Sequence, residues 1–151
     1  MRFTEILNQK TKDNDHNRTP LIALLGDSVT QGVFEVYQKN NEMKCVFDST
    51  EAYSEKLKGL LAMLWPQAPV AIFNAGVNGG QAPLGFERLK QDILPMSPDL
   101  LIVCFGLNDS YYGYEGIEKY TTALLSNGLN HPTRKMHELF AWQLVHTILN
   151  N

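Results

Sequence analysis

The chain has 151 residues, of which 44% are hydrophobic and 19% are charged, and its formal net charge is −3 at pH 7. A chain of this length suits one domain of roughly 100–200 residues, so we expect a single domain over residues 1–151. The composition argues against a disordered or fibrous protein, and the acidic balance argues against a nucleic-acid partner.

The first part of the chain is polar. Residues 8–20 predict a loop, and we interpret residues 1–20 as a polar lead-in to the first core element. No apolar run reaches the roughly 20 residues that a membrane span needs, and the first residues lack the apolar segment of a signal peptide. The 2 cysteines are too few for a disulfide framework and fit a reducing compartment. We therefore expect a cytoplasmic protein.

Three continuous apolar runs, each ended by Gly or Asn, predict buried strands of a parallel sheet. They cover residues 21–25, 70–76 and 100–106. The stretches between them have helical periodicity, which indicates βαβ units with helices on both faces of the sheet. The predicted fold is a flavodoxin-like three-layer α/β/α sandwich.

Four helices are predicted, over about 51–65, 83–94, 116–125 and from 132 to the C-terminus. Asp48 or Ser49 can cap the first, and Pro132 is a favourable first residue for the last. Apolar residues at helical spacing are expected to face the core in both. These residues are Tyr53, Leu57, Leu60, Leu61 and Leu64 in the first helix and Met136, Leu139, Phe140, Leu144 and Ile148 in the last.

Ligands of parallel sheets bind at the carboxyl ends of the strands, so the loops that follow the three runs are the candidate site. The loops read GDSVTQG at 26–32, NAGVNGG at 74–80 and GLND at 106–109. Near the C-terminus, the segment NHP at 130–132 brings an imidazole ahead of the last helix. Every one of these segments alone is also typical of an ordinary turn or helix entry.

Taken together and in this order, the four segments resemble the four blocks of the SGNH (GDSL-type) hydrolase superfamily, over about residues 21–149. The resemblance is greatest to bacterial acylhydrolases and carbohydrate acetylesterases. It implies hydrolysis of acetyl or other short-chain acyl esters, with a small ester or an acylated carbohydrate as substrate. It implies neither a metal ion nor an organic cofactor.

The resemblance also assigns roles to individual residues. Ser28 matches the nucleophile, and His131 matches the base that activates it. The backbone N–H groups of Ser28 and Gly79 and the side-chain amide of Asn108 match the oxyanion hole. Asp27 and Asn127 are expected to support the site. The acid that usually stands three residues before the base is replaced by Gly128, so Asn127 or a backbone carbonyl is expected to orient His131.

The chain is short between the third and fourth blocks. Only 22 residues, 109–130, separate Asn108 from His131, whereas a βαβ unit takes about 30. By the resemblance, the last strand–helix units of the fold are missing, which leaves a sheet in the order 2-1-3 with an apolar edge at 100–105. Three interpretations of the short interval stay open: an internal deletion, an omitted segment, or a protomer whose exposed edge is covered by a second protomer.

Two other functions stay open at this point. The first is a catalytically inactive SGNH-like binding module, and the second is a flavodoxin-like ligand-binding domain. Outside the four blocks, His16, His137 and His146 are interpreted as structural or surface residues, and Cys104 as a small core residue.

Overall fold

A computed structural model describes residues 1–108 and 134–150 of the chain. Five strands and five helices are found there. The strands are β1 (Leu21–Gly26), β2 (Val33–Lys39), β3 (Glu42–Phe47), β4 (Ala71–Gly76) and β5 (Leu100–Cys104). The helices are α1 (Phe3–Lys12), α2 (Ser28–Gln31), α3 (Tyr53–Leu64), α4 (Ala82–Arg88) and α5 (Arg134–Asn150). The described residues also form a π-helical turn (Leu89–Ile93) and two 3₁₀ turns (Ser49–Glu51 and Leu94–Met96).

The main sheet contains the three predicted strands, all parallel, in the order β4-β1-β5. This is the predicted order 2-1-3. Gly26 at the end of β1 pairs with Gly76 of β4 and Cys104 of β5, so the three strands end side by side. The loops that follow them therefore leave the sheet at the same edge.

Helices cover both faces of this sheet, which confirms the three-layer architecture. Ile22 and Leu24 of β1 point to one face and pack in a cluster with residues of α1, α3 and α5. Ala23 and Leu25 point to the other face and pack against Ile93 after α4. Because β1 is buried on both faces, it reads as a continuous apolar run rather than an alternating one.

The helix predicted over 51–65 is present as α3, with Asp48 capping the short 3₁₀ turn before it through a 2.9 Å bond from the Thr50 N–H. Leu57 and Leu61 are buried as predicted, whereas Leu64 is 48% exposed. In α5 the predicted stripe is partly wrong. The buried residues of α5 are His137, Ala141, Val145 and Ile148, and Leu139 is exposed. The helix predicted over 116–125 and the start at Pro132 lie outside the described residues.

The N-terminal region corrects the lead-in predicted for residues 1–20. Helix α1 continues to Lys12, well into the segment expected to be a loop. Phe3 and Leu7 are buried and pack in the same cluster as β1, α3 and α5. Two apolar residues four positions apart are enough to anchor one face of a short helix, although they leave its sequence polar on average.

An antiparallel hairpin of β2 and β3, which the sequence analysis did not predict, follows α2 directly. Its two turn residues, Asn40 and Asn41, have φ values of 53° and 61°. Positive φ at both central residues is the type I′ arrangement, which asparagine tolerates and which matches the twist of the flanking strands.

Strand β5 lies at one edge of the described sheet. It pairs with β1 on one side, and no other strand in residues 1–108 or 134–150 pairs with it. Val103 in its middle is 58% exposed, which agrees with the apolar edge expected from the sequence. Within the same residues, the helices are all too short or too polar to cross a membrane.

Candidate active site

Ser28 is the first residue of α2, the single helical turn that leaves the carboxyl end of β1. Asp27 caps this turn, and its Oδ1 accepts a 2.9 Å hydrogen bond from the Val29 N–H. Gly32 ends the turn with φ of 106°, a left-handed conformation that glycine adopts without strain. Ser28 is buried, with 1% of its surface exposed, and so are Asp27 and Thr30. Both ends of the turn are thus defined by local sequence.

Gly79 lies at the tip of a β-turn that follows β4. The Gly80 N–H donates to the Val77 carbonyl at 2.9 Å, which closes the turn, and the Val77 N–H donates to the Gly26 carbonyl at 3.1 Å. Gly79 has φ of 74°, the value that a type II turn requires at its third position. An added Cβ at Gly79 would meet no atom of another described residue within 4 Å, apart from its chain neighbours, so backbone conformation rather than space within that part of the chain favours glycine here.

The side chain of Asn108 joins the loops after β1 and β4. Its Nδ2 donates to the Gly80 carbonyl at 2.9 Å and makes a longer bond of 3.4 Å to Oδ2 of Asp27. Gln81 in turn donates from Nε2 to the Asn108 carbonyl at 3.4 Å. The structure therefore brings the first three predicted blocks together at one edge of the sheet.

His131, the candidate base, and Asn127, its candidate support, lie outside the described residues, as do Asp109 and Gly128. Among the other histidines, His137 is fully buried in α5, and His16 and His146 are exposed.

Two glycines let α2 approach the strand ends closely. A Cβ on Gly76 would overlap the backbone nitrogen of Gln31 and lie 2.7 Å from its Cα. A Cβ on Gly26 would overlap the Thr30 hydroxyl and lie 2.6 Å from the Cys104 carbonyl. Because backbone atoms cannot move aside as a flexible side chain does, both positions exclude larger residues.

Several polar residues that the sequence analysis missed hold α2 in this position. Asn74 at the end of β4 donates from Nδ2 to the Thr30 carbonyl at 2.7 Å and to Oγ of Ser54 at 3.1 Å. The hydroxyls of Thr30 and Tyr53 are 3.0 Å apart in the interior. An asparagine at the end of an otherwise apolar run was a usable signal for Asn74. The pairing of Thr30 with Tyr53 depends on tertiary packing and left no local signal.

Tyr53 connects this polar group to α5. Its backbone N–H donates to Nδ1 of His137 at 3.1 Å, and its ring stacks on the imidazole with centroids 6.1 Å apart. Burial raises the pKa of the Tyr53 hydroxyl well above its ordinary value. Burial, followed by the negative charge of Asp27, also raises the pKa of the Cys104 thiol. Both groups therefore keep their protons near neutral pH.

Within residues 1–108 and 134–150, no three His, Cys, Asp or Glu side chains are close enough together to hold a metal ion.

Comparison with known proteins gives one family and several solved structures. The sequence model of the GDSL-like lipase/acylhydrolase family matches residues 22–149. A two-domain esterase active on acetylated mannans superposes with a TM-score of 0.67 at 17% identity, covering 99% of this chain and 52% of that one. No curated protein sequence matches.

Two further solved structures are similar over a smaller part of the chain. A lipase/acylhydrolase from Enterococcus faecalis has 26% identity and a TM-score of 0.47, covering 61% of this chain and 41% of that one. An acetylxylan esterase from Geobacillus stearothermophilus has 21% identity and a TM-score of 0.47, covering 64% and 42%. The chain spans about half of the length of these structures or less.

Proposed function

Because the chain belongs to the GDSL-like lipase/acylhydrolase family, we propose that it is a serine esterase that removes acetyl or other short acyl groups through an acyl-enzyme on Ser28. The observation that carries the proposal is the position of the Asn108 side chain between two loops. This side chain contacts both the loop of Ser28, through Asp27, and the turn of Gly79, through Gly80. The nucleophile and the oxyanion donors implied by the family thus share one edge of the sheet.

The proposed reaction begins with attack of Oγ of Ser28 on the carbonyl carbon of the ester, while His131 accepts the hydroxyl proton. The electron pair of the C=O bond moves to its oxygen, and the tetrahedral intermediate carries a negative charge there. When the intermediate collapses, His131 returns the proton to the departing alcohol, and an acyl-serine remains. Water then attacks the acyl carbon while His131 accepts its proton. The bond from this carbon to Oγ of Ser28 breaks, His131 returns the proton to Oγ, and the acid is released.

The N–H groups of Ser28 and Gly79 and the amide of Asn108 are proposed to bind the oxygen on which this charge develops. One such donor typically contributes a factor of about 10²–10³ in rate. The amide of Asn108 suits the role because it donates without carrying a charge. Its longer bond to Asp27, at 3.4 Å, is the one we expect it to exchange for the oxyanion.

Acylated carbohydrates are the substrates to test first, because the fold neighbour with a TM-score of 0.67 is active on acetylated mannans. Release of acetate from acetylated mannan and xylan oligosaccharides, compared with an aryl acetate and an aryl octanoate, measures both the alcohol and the acyl preference.

Labelling with a fluorophosphonate tests the nucleophile. We expect one covalent adduct by intact mass, located at Ser28 by peptide mapping, and none in Ser28→Ala. Ser49→Ala is the matched control, because Ser49 is exposed on the 3₁₀ turn before α3. A folded wild-type chain that neither reacts with the probe nor hydrolyses any of the esters would be a binding member of the family.

A further inference from the structure

The turn that carries Gly79 is fixed at its base by bonds to neighbouring loops. The Val77 N–H donates to Gly26, and the Gly80 carbonyl accepts from Asn108. Its tip is different, because Asn78 and Gly79 are exposed. Among the described residues, apart from its two chain neighbours, no atom lies within 4 Å of where a Cβ on Gly79 would be, so their packing does not hold the tip.

One side chain reaches the tip from the helical turn of the candidate nucleophile. Oε1 of Gln31 accepts a 2.8 Å hydrogen bond from the backbone N–H of Asn78, the residue before Gly79. Gln31 is the last residue of α2, three positions after Ser28. The bond therefore connects the element of Ser28 directly to the turn of Gly79.

The direction of the Gly79 N–H depends on this turn. In a β-turn the central peptide joins the second and third residues, here Asn78 and Gly79. Between type I and type II turns this peptide rotates by nearly half a turn, and its N–H then points the opposite way. A bond to the neighbouring N–H of Asn78 restrains the residue about which that rotation takes place.

We infer that Gln31 is a positioning residue, which holds the Gly79 N–H in the direction needed to bind the oxyanion. The inference rests on the proposed function, because it takes the Gly79 N–H to be an oxyanion donor. Gln31 itself does not touch the reacting atoms in this role. It acts only through the Asn78 peptide.

The test compares two substitutions at position 31. Gln31→Met keeps the length of the side chain and removes the acceptor oxygen, whereas Gln31→Glu keeps an acceptor oxygen. Gln38→Met, at an exposed position of strand β2, is the matched control. kcat and KM are measured with an aryl acetate, and backbone hydrogen exchange is measured over residues 76–80.

We expect Gln31→Met to lower kcat about ten-fold, less than the 10²–10³ for complete loss of a donor, with KM nearly unchanged. Exchange at Asn78, and at Gly80, whose N–H closes the turn, should become faster in Gln31→Met and stay slow in Gln31→Glu and Gln38→Met. A Gln31→Met enzyme with wild-type kcat and wild-type exchange would overturn the inference, as would an effect on KM alone.

The exchange measurement also separates the inference from the proposed function. If the wild-type chain hydrolyses no ester, the proposed function fails and with it the catalytic role of Gln31. Faster exchange in Gln31→Met alone would then still show that Gln31 holds the turn in place. Equal exchange in all variants would show that Gln31 does not hold the turn.

Discussion

The amide nitrogen of Asn108 lies 2.9 Å from the carbonyl oxygen of Gly80, across the gap between the loops that follow β5 and β4. This bond makes Asn108 part of the turn that presents Gly79, in addition to its own proposed role as a donor. Loss of the side chain should therefore affect charge stabilisation and turn geometry together.

We expect Asn108→Ala to lower kcat by about 10²–10³ while KM changes little, because the amide is proposed to act mainly on the transition state. Steady-state kinetics with an aryl acetate measure this, and circular dichroism checks that the variant is folded. If Asn108→Ala raised KM and left kcat unchanged, Asn108 would be a substrate-binding residue instead.

The pH dependence of activity should report the candidate base. His131 must be neutral to accept the proton of Ser28, so kcat/KM should rise with pH through an apparent pKa near the ordinary histidine value of about 6.5. The raised pKa values of Tyr53 and Cys104 keep both groups protonated near neutral pH, so neither contributes to this rise.

The matched variants for that profile are His131→Ala and His146→Ala, the latter at an exposed position of α5. The first should abolish the activity, and the second should leave the profile unchanged. Gly128→Asp supplies the acid that the resemblance leads one to expect, and should raise the rate or the apparent pKa by stabilising the imidazolium. An unaltered profile in His131→Ala would contradict its role as the base.

Removing the Tyr53 hydroxyl should destabilise the protein. Tyr53→Phe deletes one member of a buried pair of hydroxyls 3.0 Å apart and leaves that of Thr30 with one bond fewer. A loss of about 1–2 kcal/mol in the free energy of unfolding is expected, measured by urea denaturation. Tyr37→Phe, at a residue 42% exposed on β2, is the control and should change stability by much less.

A double substitution separates the hydrogen bond between the Thr30 and Tyr53 hydroxyls from the other causes of the stability loss in Tyr53→Phe. If Tyr53→Phe and Thr30→Val are coupled, their combined cost will be smaller than the sum of the single costs. Additive costs would show that the two hydroxyls do not interact.

Alanine at two glycines should have opposite effects on stability. Gly76→Ala would drive a Cβ into the backbone of Gln31, which we expect to cost about 3 kcal/mol and to shift the nucleophile. Gly59→Ala lies in the middle of α3, where no described residue outside the adjoining helix backbone comes within 4 Å of the new Cβ, and should stabilise the protein by about 0.5–1 kcal/mol. Urea denaturation of both variants measures the difference, and equal stabilities would contradict the close approach at Gly76.

The strands were predictable because each is a continuous apolar run ended by a residue that breaks it, as in Leu21–Gly26. The buried face of α5 was not predictable from the sequence, because apolar residues occur around most of the helix. Its core side includes the polar His137, which is buried by its contacts with Tyr53. The hairpin had a signal in the two asparagines of its turn, but every residue of β3 except Val46 is exposed, so that strand shows no clear apolar face.

The candidate site was predictable only in part, and for a related reason. Ser28, Gly79 and Asn108 follow strands, so their meeting at one edge follows from the parallel order of the sheet. The bonds that orient them, such as that from Asn78 to Gln31, join residues 47 positions apart and depend on the final packing.

The pairing of the central strand has a consequence for how the chain folds. Leu21 pairs with Ala71, and Ile22 pairs with Leu100, so β1 finds both its neighbours only after long loops have closed. The hairpin β2–β3 pairs residues that are close in sequence, and such hairpins form in about 1–10 μs. We therefore expect the hairpin to form early and the closing of the parallel sheet to limit the folding rate.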